Sequence, residues 1–227
     1  MQFTYFGHSC FLVETNGSRI LFDPFISSNE LAKDISLSDI EADYILVSHG
    51  HFDHIADCVT LAQSTGAKVV SNWEIYEWLT KQKLTNLHPM NTGGKWDFGP
   101  FSVRSTAAQH SSGLPDGTYG GNPMGFIVSS PEGSFYYSGD TALTMDMQLI
   151  PVWAKLNFAV LPVGDNFTMG YEDAVEAARM INCKKVIGVH FDTFGFIKID
   201  HAKAIAAFEE KGYQLTLPSV GETISLS

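Results

Sequence analysis

The 227-residue sequence predicts an α/β (α+β) layered sandwich in which two β-sheets pack face to face and helices lie outside them. Two observations carry this. The chain opens with short β-type runs and then alternates buried strands with helical spacing, and its second half repeats that grammar without repeating the sequence. The composition, 44% hydrophobic, 12% aromatic and 17% charged, is that of an ordinary globular protein. No Pro/Ser-rich stretch or charge run marks a linker, so residues 1–227 are expected to form a single domain.

Gln2 to Phe6, Cys10 to Glu14 and Arg19 to Phe22 read as strands, and Asn16-Gly17 between the last two is a tight-hairpin signal. Tyr44 to Ser48 is a buried-strand run. After a turn, Ile55, Cys58, Val59 and Ala62 fall at helical spacing, which predicts a helix over Ile55 to Ser64 that Gly66 would end. Trp73, Tyr76, Glu77 and Trp78 follow another helical pattern, Asn86 to Lys95 reads as loop, and Phe101 to Ala108 as strand. In the second half, Met124 to Ser129 and Phe135 to Ser138 flank a Ser130-Pro131-Glu132-Gly133 turn, and a helix is expected within Thr144 to Ala154. Phe158 to Val163 is an apolar strand, and Tyr171 to Ile181 puts alanines and Val175 on one helical face. Val186 to Val189 is a buried strand, Asp200 caps a helix ending at Gly212, and strands Tyr213 to Leu217 and Thr223 to Leu226 follow.

Fourteen Lys and Arg against 25 Asp and Glu give a net charge of -11, which disfavours nucleic acid as a partner because no basic face is available for the phosphate backbone. Cys10, Cys58 and Cys183 match neither a disulfide framework nor a zinc knuckle, which points to a reducing compartment. The start has no basic and then apolar leader, and no apolar run approaches the roughly 20 residues a membrane span needs. A cytoplasmic protein with a small-molecule substrate and no membrane partner is expected. A homo-oligomer is left open.

At the end of the Tyr44 to Ser48 strand stands His49-Gly50-His51-Phe52-Asp53-His54. Helix capping needs one Asp and not three histidines, so this turn reads as a metal site. His49 and His51, two apart in extended chain, point the same way, while Asp53 and His54 lie past the bend and could face a second ion about 3.5–4 Å from the first. His110, Asp140 and His190 each follow an apolar strand as well, and strand ends are where layered α/β proteins gather their chemistry.

The order His49, His51, Asp53, His54, His110, Asp140, His190 resembles the metallo-β-lactamase-fold hydrolases, across nearly the whole chain. Gly7-His8-Ser9-Cys10-Phe11, Asp23-Pro24-Phe25, Ser138-Gly139-Asp140-Thr141 and Gly164-Asp165-Asn166-Phe167-Thr168-Met169-Gly170 are similar to the small single-domain branch related to L-ascorbate-6-phosphate lactonase. The resemblance implies an αββα sandwich of two mixed sheets. It also implies one metal on His49, His51 and His110, another on Asp53, His54 and His190, and Asp140 bridging them. The chain departs from the branch at the last histidine. In place of a Pro-x-His-Tyr-like context it has Gly188-Val189-His190-Phe191-Asp192-Thr193, so the tyrosine hydroxyl is absent and Asp192 either faces solvent or approaches the metals.

These residues predict a metal-dependent hydrolase in which a dinuclear metal-activated hydroxide attacks a small anionic ester, lactone or phosphodiester, with Asp53 orienting the nucleophile as well as ligating. Nitrogen and carboxylate ligands without thiolate suit two divalent ions, zinc or manganese first, with iron, cobalt or nickel also compatible. The competing readings are a metal-dependent nuclease or phosphodiesterase and a catalytically silent metal-binding protein. His8, Asn166 and Thr193 are assigned to the substrate side, His88 and His201 to the solvated surface, and the Gly-rich stretch Ser111 to Pro123 to a wall or lid over the metals.

Overall fold

Alternation along each strand sorts the side chains into layers. In the computed structural model, which describes residues 1–226, Phe11 and Val13 face one side of the second strand while Cys10 and Leu12 face the other. The first sheet holds β1 (Gln2–Gly7), β2 (Cys10–Thr15), β3 (Ser18–Phe22), β4 (Tyr44–Leu46), β5 (Lys68–Ser71) and β6 (Leu87–Pro89). The second holds β7 (Lys95–Asp97), β8 (Ser102–Ala107), β9 (Met124–Ser130), β10 (Gly133–Tyr137), β11 (Phe158–Pro162), β12 (Lys185–Val189) and β13 (Gln214–Thr216). The last strand, β14 (Thr223–Ser225), returns to the first sheet and pairs antiparallel with β1, Gln2 opposite Ser225. Both sheets are mixed: β1 to β3 and β7 to β10 pair antiparallel, β3 to β6 and β10 to β13 parallel.

Between the sheets lies a core rich in phenylalanine. Phe22 stacks on Phe11 at 4.5 Å and meets Phe135 and Tyr137 of the opposite sheet edge-on at 5.8 and 5.6 Å. The outer face of the first sheet packs against α1 (Phe52–Ile55), α2 (Cys58–Thr65) and α3 (Trp73–Lys81), that of the second against α4 (Ile150–Trp153), α5 (Tyr171–Met180) and α6 (His201–Glu210). This is the expected αββα sandwich. No helix among the described residues is long and apolar enough to cross a membrane.

Three local expectations need correction, and a fourth, the helix within Thr144 to Ala154, is met by α4. The segment Asn86 to Lys95 is not all loop, since β6 and the start of β7 lie in it, and β5 carries no strong signal in the sequence. His88 accordingly sits on β6 with its ring 5.0 Å from Trp96 and 5.1 Å from Phe98 instead of being freely solvated. The helix expected from Ile55 is two helices, broken at Asp57, whose N–H goes to Pro24 O (3.0 Å) and whose carboxylate accepts Ile26 N and Ser27 N (2.6 and 2.9 Å). The segment from Thr144 begins as a 3-10 turn, Met145–Leu149, capped by the Thr144 hydroxyl, and becomes α-helical only where Pro151 can occupy a first turn that does not use its missing N–H. The Asn16-Gly17 hairpin is as expected, with both residues at positive φ (46° and 74°).

Candidate metal centre

Every candidate ligand stands just beyond a strand. His49, His51, Asp53 and His54 follow β4, His110 follows β8, Asp140 follows β10 and His190 follows β12. Their ligand atoms, with those of His8 and Asp23, fall into two main sets, His49, His51 and His110, and His8, Asp53, His54 and His190, and a third, Asp23 with His49 and His54, that overlaps both, each mutually within 4.8 Å. Asp140 lies between the sets. Its Oδ2 is 3.0 Å from His190 Nε2, 3.2 Å from His54 Nε2, 3.6 Å from His110 Nε2 and 4.0 Å from His49 Nε2.

Close backbone packing holds these residues. A Cβ on Gly164 would lie 2.0 Å from the carbonyl oxygen of His190, itself at φ 56°. Gly164→Ala should therefore push His190 off its position and weaken metal binding by about tenfold or more, the range of effects seen when a ligand's support is lost. Metal titration read beside circular dichroism tests this, and unchanged affinity in a folded variant would mean that the loop absorbs the extra methyl.

The buried carboxylates favour positive charge at the centre. Burial, reinforced by His54, holds His49 well below its ordinary pKa, and burial lowers His51 and His110 as well, so these three are neutral at pH 7. Burial alone would lower His54, but Asp140, Asp23 and Asp53 together raise it well above the usual range. Burial opposes ionisation of Asp140 and Asp53 too, yet Asp140 is held well below the ordinary value by His190 and His54, and Asp53 is lowered by His54 and His8.

Asp23, fully buried after β3, fixes how the histidines present themselves. It accepts Ser48 N (2.7 Å), Ser48 Oγ (2.5 Å), His54 Nδ1 (2.8 Å) and Tyr137 Oη (2.6 Å). Because Ser48 gives its one proton to Asp23, its oxygen receives His49 Nδ1–H at 2.9 Å, which leaves the lone pair of His49 on Nε2. His54, donating through Nδ1, likewise turns Nε2 toward Asp140. Among the described residues His54 Nε2, Asp140 Oδ1 and His190 Nδ1 are buried without a hydrogen-bond partner. Neutral His8, His49, His51 and His110, anionic carboxylates that draw positive charge onto His54, and unpartnered buried atoms are a donor set that fits divalent ions. No site role was assigned to Asp23 from the sequence. Its one signal was its place, a carboxylate at a strand end like the other ligands.

His8 is fully buried with φ 55°, its Nε2 2.9 Å from Asp53 Oδ2 and its Nδ1 3.1 Å from Thr193 Oγ1. Burial and His190 lower its pKa to about 4, so it is neutral at pH 7. His8 and Thr193 are thus brought to the centre. Asn166 is exposed in a turn, with φ 57°, and none of the hydrogen bonds or ion pairs among the described residues joins it to the cluster. Asp192 does not join the ligand cluster either: Oδ1 accepts Ile199 N at 3.1 Å and Oδ2 pairs with His201 Nε2 at 2.7 Å. His201 is exposed as expected but engaged by that carboxylate.

The Gly-rich stretch after His110 is a pinned wall and not a free lid. Ser112 Oγ accepts Gly50 N and donates to Gly120 O, Asn72 Nδ2 donates to Gly120 O and Asn122 O, and Trp78 Nε1 donates to Asp116. Leu114 is buried beneath it.

A beta-lactamase superfamily domain matches residues 2–190. Over the full length of both chains, the sequence is 48% identical to a UPF0173 metal-dependent hydrolase of Flavobacterium johnsoniae and 49% identical to one of Methylacidiphilum infernorum. Among solved structures it is similar to Igni18, a metallo hydrolase of the archaeon Ignicoccus hospitalis, at 34% identity and a TM-score of 0.89, covering 98% of this chain and 97% of that one. An isothiocyanate hydrolase from Delia radicum gut bacteria shares the fold at 19% identity, with a TM-score of 0.80 and coverage of 100% and 99%.

Proposed function

The chain belongs to the metal-dependent hydrolases of the beta-lactamase superfamily, and from that premise we propose that it cleaves a small anionic ester, lactone or phosphodiester at a centre of two divalent ions. His49, His51 and His110 would hold one ion and Asp53, His54 and His190 the other, with Asp140 shared. The position of Asp140 Oδ2, within 3.0–4.0 Å of nitrogens from both sets, is the observation that carries this reading. The return of β14 to β1 supports a single domain.

Such ions, when bound, supply Lewis acidity and lower the pKa of water toward neutrality. The chain supplies the orientation. Asp53, 23% exposed and hydrogen-bonded to the neutral His8, keeps an anionic oxygen at the cleft, where it can accept a hydrogen bond from the attacking water and align it. Asp23 holds the His49 and His54 rings so that their lone pairs converge. Ser111 Oγ, 3.2 Å from His51 Nε2, begins the fixed wall that limits the cleft on the opposite side.

Two dications outweigh the three carboxylates of Asp53, Asp140 and Asp23, and Asp192 is tied to His201, so the cleft favours an anion although the whole chain carries -11. A polyanion is repelled by the acidic surface, which favours a small substrate over nucleic acid. The nitrogen and oxygen ligands suit zinc or manganese, and the three cysteines are buried and free.

Elemental analysis is the direct test. Fully loaded protein should carry two ions per chain, His51→Ala and His54→Ala should each cost one, and His201→Ala should cost none. One ion at saturation, with His54→Ala tolerated, would sink the dinuclear centre. Turnover of matched neutral and singly anionic esters at low salt checks the substrate's charge, and a neutral ester that matches its anionic partner would remove that part of the reading.

A further inference from the structure

The chain has 16 phenylalanines, and the four among the exposed large hydrophobics are Phe52 (54%), Phe167 (50%), Phe194 (38%) and Phe196 (78%). All four lie on segments that build the centre. Phe52 stands between His51 and Asp53, and Phe194 and Phe196 follow Thr193, the partner of His8. Phe167 is in the loop that begins at Gly164, against the carbonyl of His190.

Two of the rings, Phe194 and Phe52, connect to the ligands. Phe194 lies 5.3 Å from the His8 ring, and the buried Phe25 joins Phe194 (6.4 Å) to Phe52 (5.8 Å). Phe167 and Phe196 meet edge-on at 6.3 Å farther out. The result is an aromatic surface beside His8 and Asp53, formed by Phe52, Phe25 and Phe194, with the Phe167–Phe196 pair as a second patch on neighbouring site segments. An exposed apolar patch of this kind costs solubility, so its concentration on the segments of one site points to a ligand. Among the described residues the side-chain hydrogen bonds and ion pairs of the ligand residues involve His, Asp, Ser and Thr, with no Lys or Arg, so the polar contacts of the centre leave the phenylalanine surface to apolar recognition.

We propose that this surface binds an aryl or alkyl group of the substrate beside the scissile bond, which narrows the class to small esters, lactones or phosphodiesters with one anionic or polar end and one apolar flank. The inference rests on the hydrolytic reading of the same centre. Phe52 and Phe194 contact the group nearest the metals, and Phe196 and Phe167 extend the surface for a longer one.

The test compares phenylphosphonate with methylphosphonate by calorimetry on the metal-loaded protein, beside turnover of a phenylacetate and an acetate ester with the same leaving group. The phenyl member is expected to bind, and to show a lower KM, by about tenfold or more, the usual worth of burying a ring of that size. Phe52→Ala and Phe196→Ala should each bring the two phosphonates closer together in affinity, while Val152→Ala, 74% exposed on α4, should leave their ratio unchanged. Equal affinity for the two phosphonates at full metal content overturns the surface's role. Failure of the loaded protein to cleave either ester would count against the hydrolytic reading alone, because the phosphonates judge the surface without turnover.

Discussion

Asp140→Asn is expected to lower turnover by at least about 100-fold, since it removes a carboxylate whose Oδ2 lies within 3.0–4.0 Å of Nε2 atoms from both ligand sets while keeping the side chain's shape. The neutral amide leaves His54 and His190 without the anion 3.2 and 3.0 Å from their Nε2 atoms. An amide also presents an N–H pair where one ligand set needs a lone pair. Both effects weaken the hold on both ions, so elemental analysis should register a loss from each set and not from one alone. A variant with normal metal content and near-normal turnover would exclude the shared position of Asp140.

The ligand set was legible because its densest part is local: four of its members lie in the six residues from His49 to His54, and each of the others follows an apolar strand strong enough to recognise. Strand-to-turn placement, more than residue type, singled out His110, Asp140 and His190. Elements without a full period were lost. β6 and β7 are three residues each and β5 four, too short for alternation to show, and their pairing is decided by neighbours far along the chain. The break at Asp57 and the turning away of Asp192 share one cause, a carboxylate captured by backbone N–H groups of a loop that no local pattern announces.

Asp23 is the site residue least visible in the sequence, and its loss is expected to be felt by both fold and metal. Its partners lie 25 residues away at Ser48, 31 at His54 and 114 at Tyr137. Asp23→Ala leaves their donors unpaired in a fully buried place, at a cost of about 3–5 kcal/mol. That is a large share of a typical stability of roughly 5–15 kcal/mol, and in a chain of this size it should lower the melting temperature by about 2–4 °C per kcal/mol. Asp23→Asn separates the two roles. It keeps the volume and one acceptor oxygen, so the fold should survive, but its amide protons compete with those of Ser48 Oγ and His54 Nδ1. His54 is then free to carry its proton on Nε2, the atom aimed at Asp140, and metal affinity should fall about 10- to 100-fold. Tyr137→Phe removes one donor to Asp23 without touching either histidine's tautomer, and should cost stability with metal affinity nearly intact. Metal titration of the three variants beside thermal melts decides the matter, and an Asp23→Asn protein that binds metal as tightly as the parent would show that Asp23 does not set the histidine tautomers.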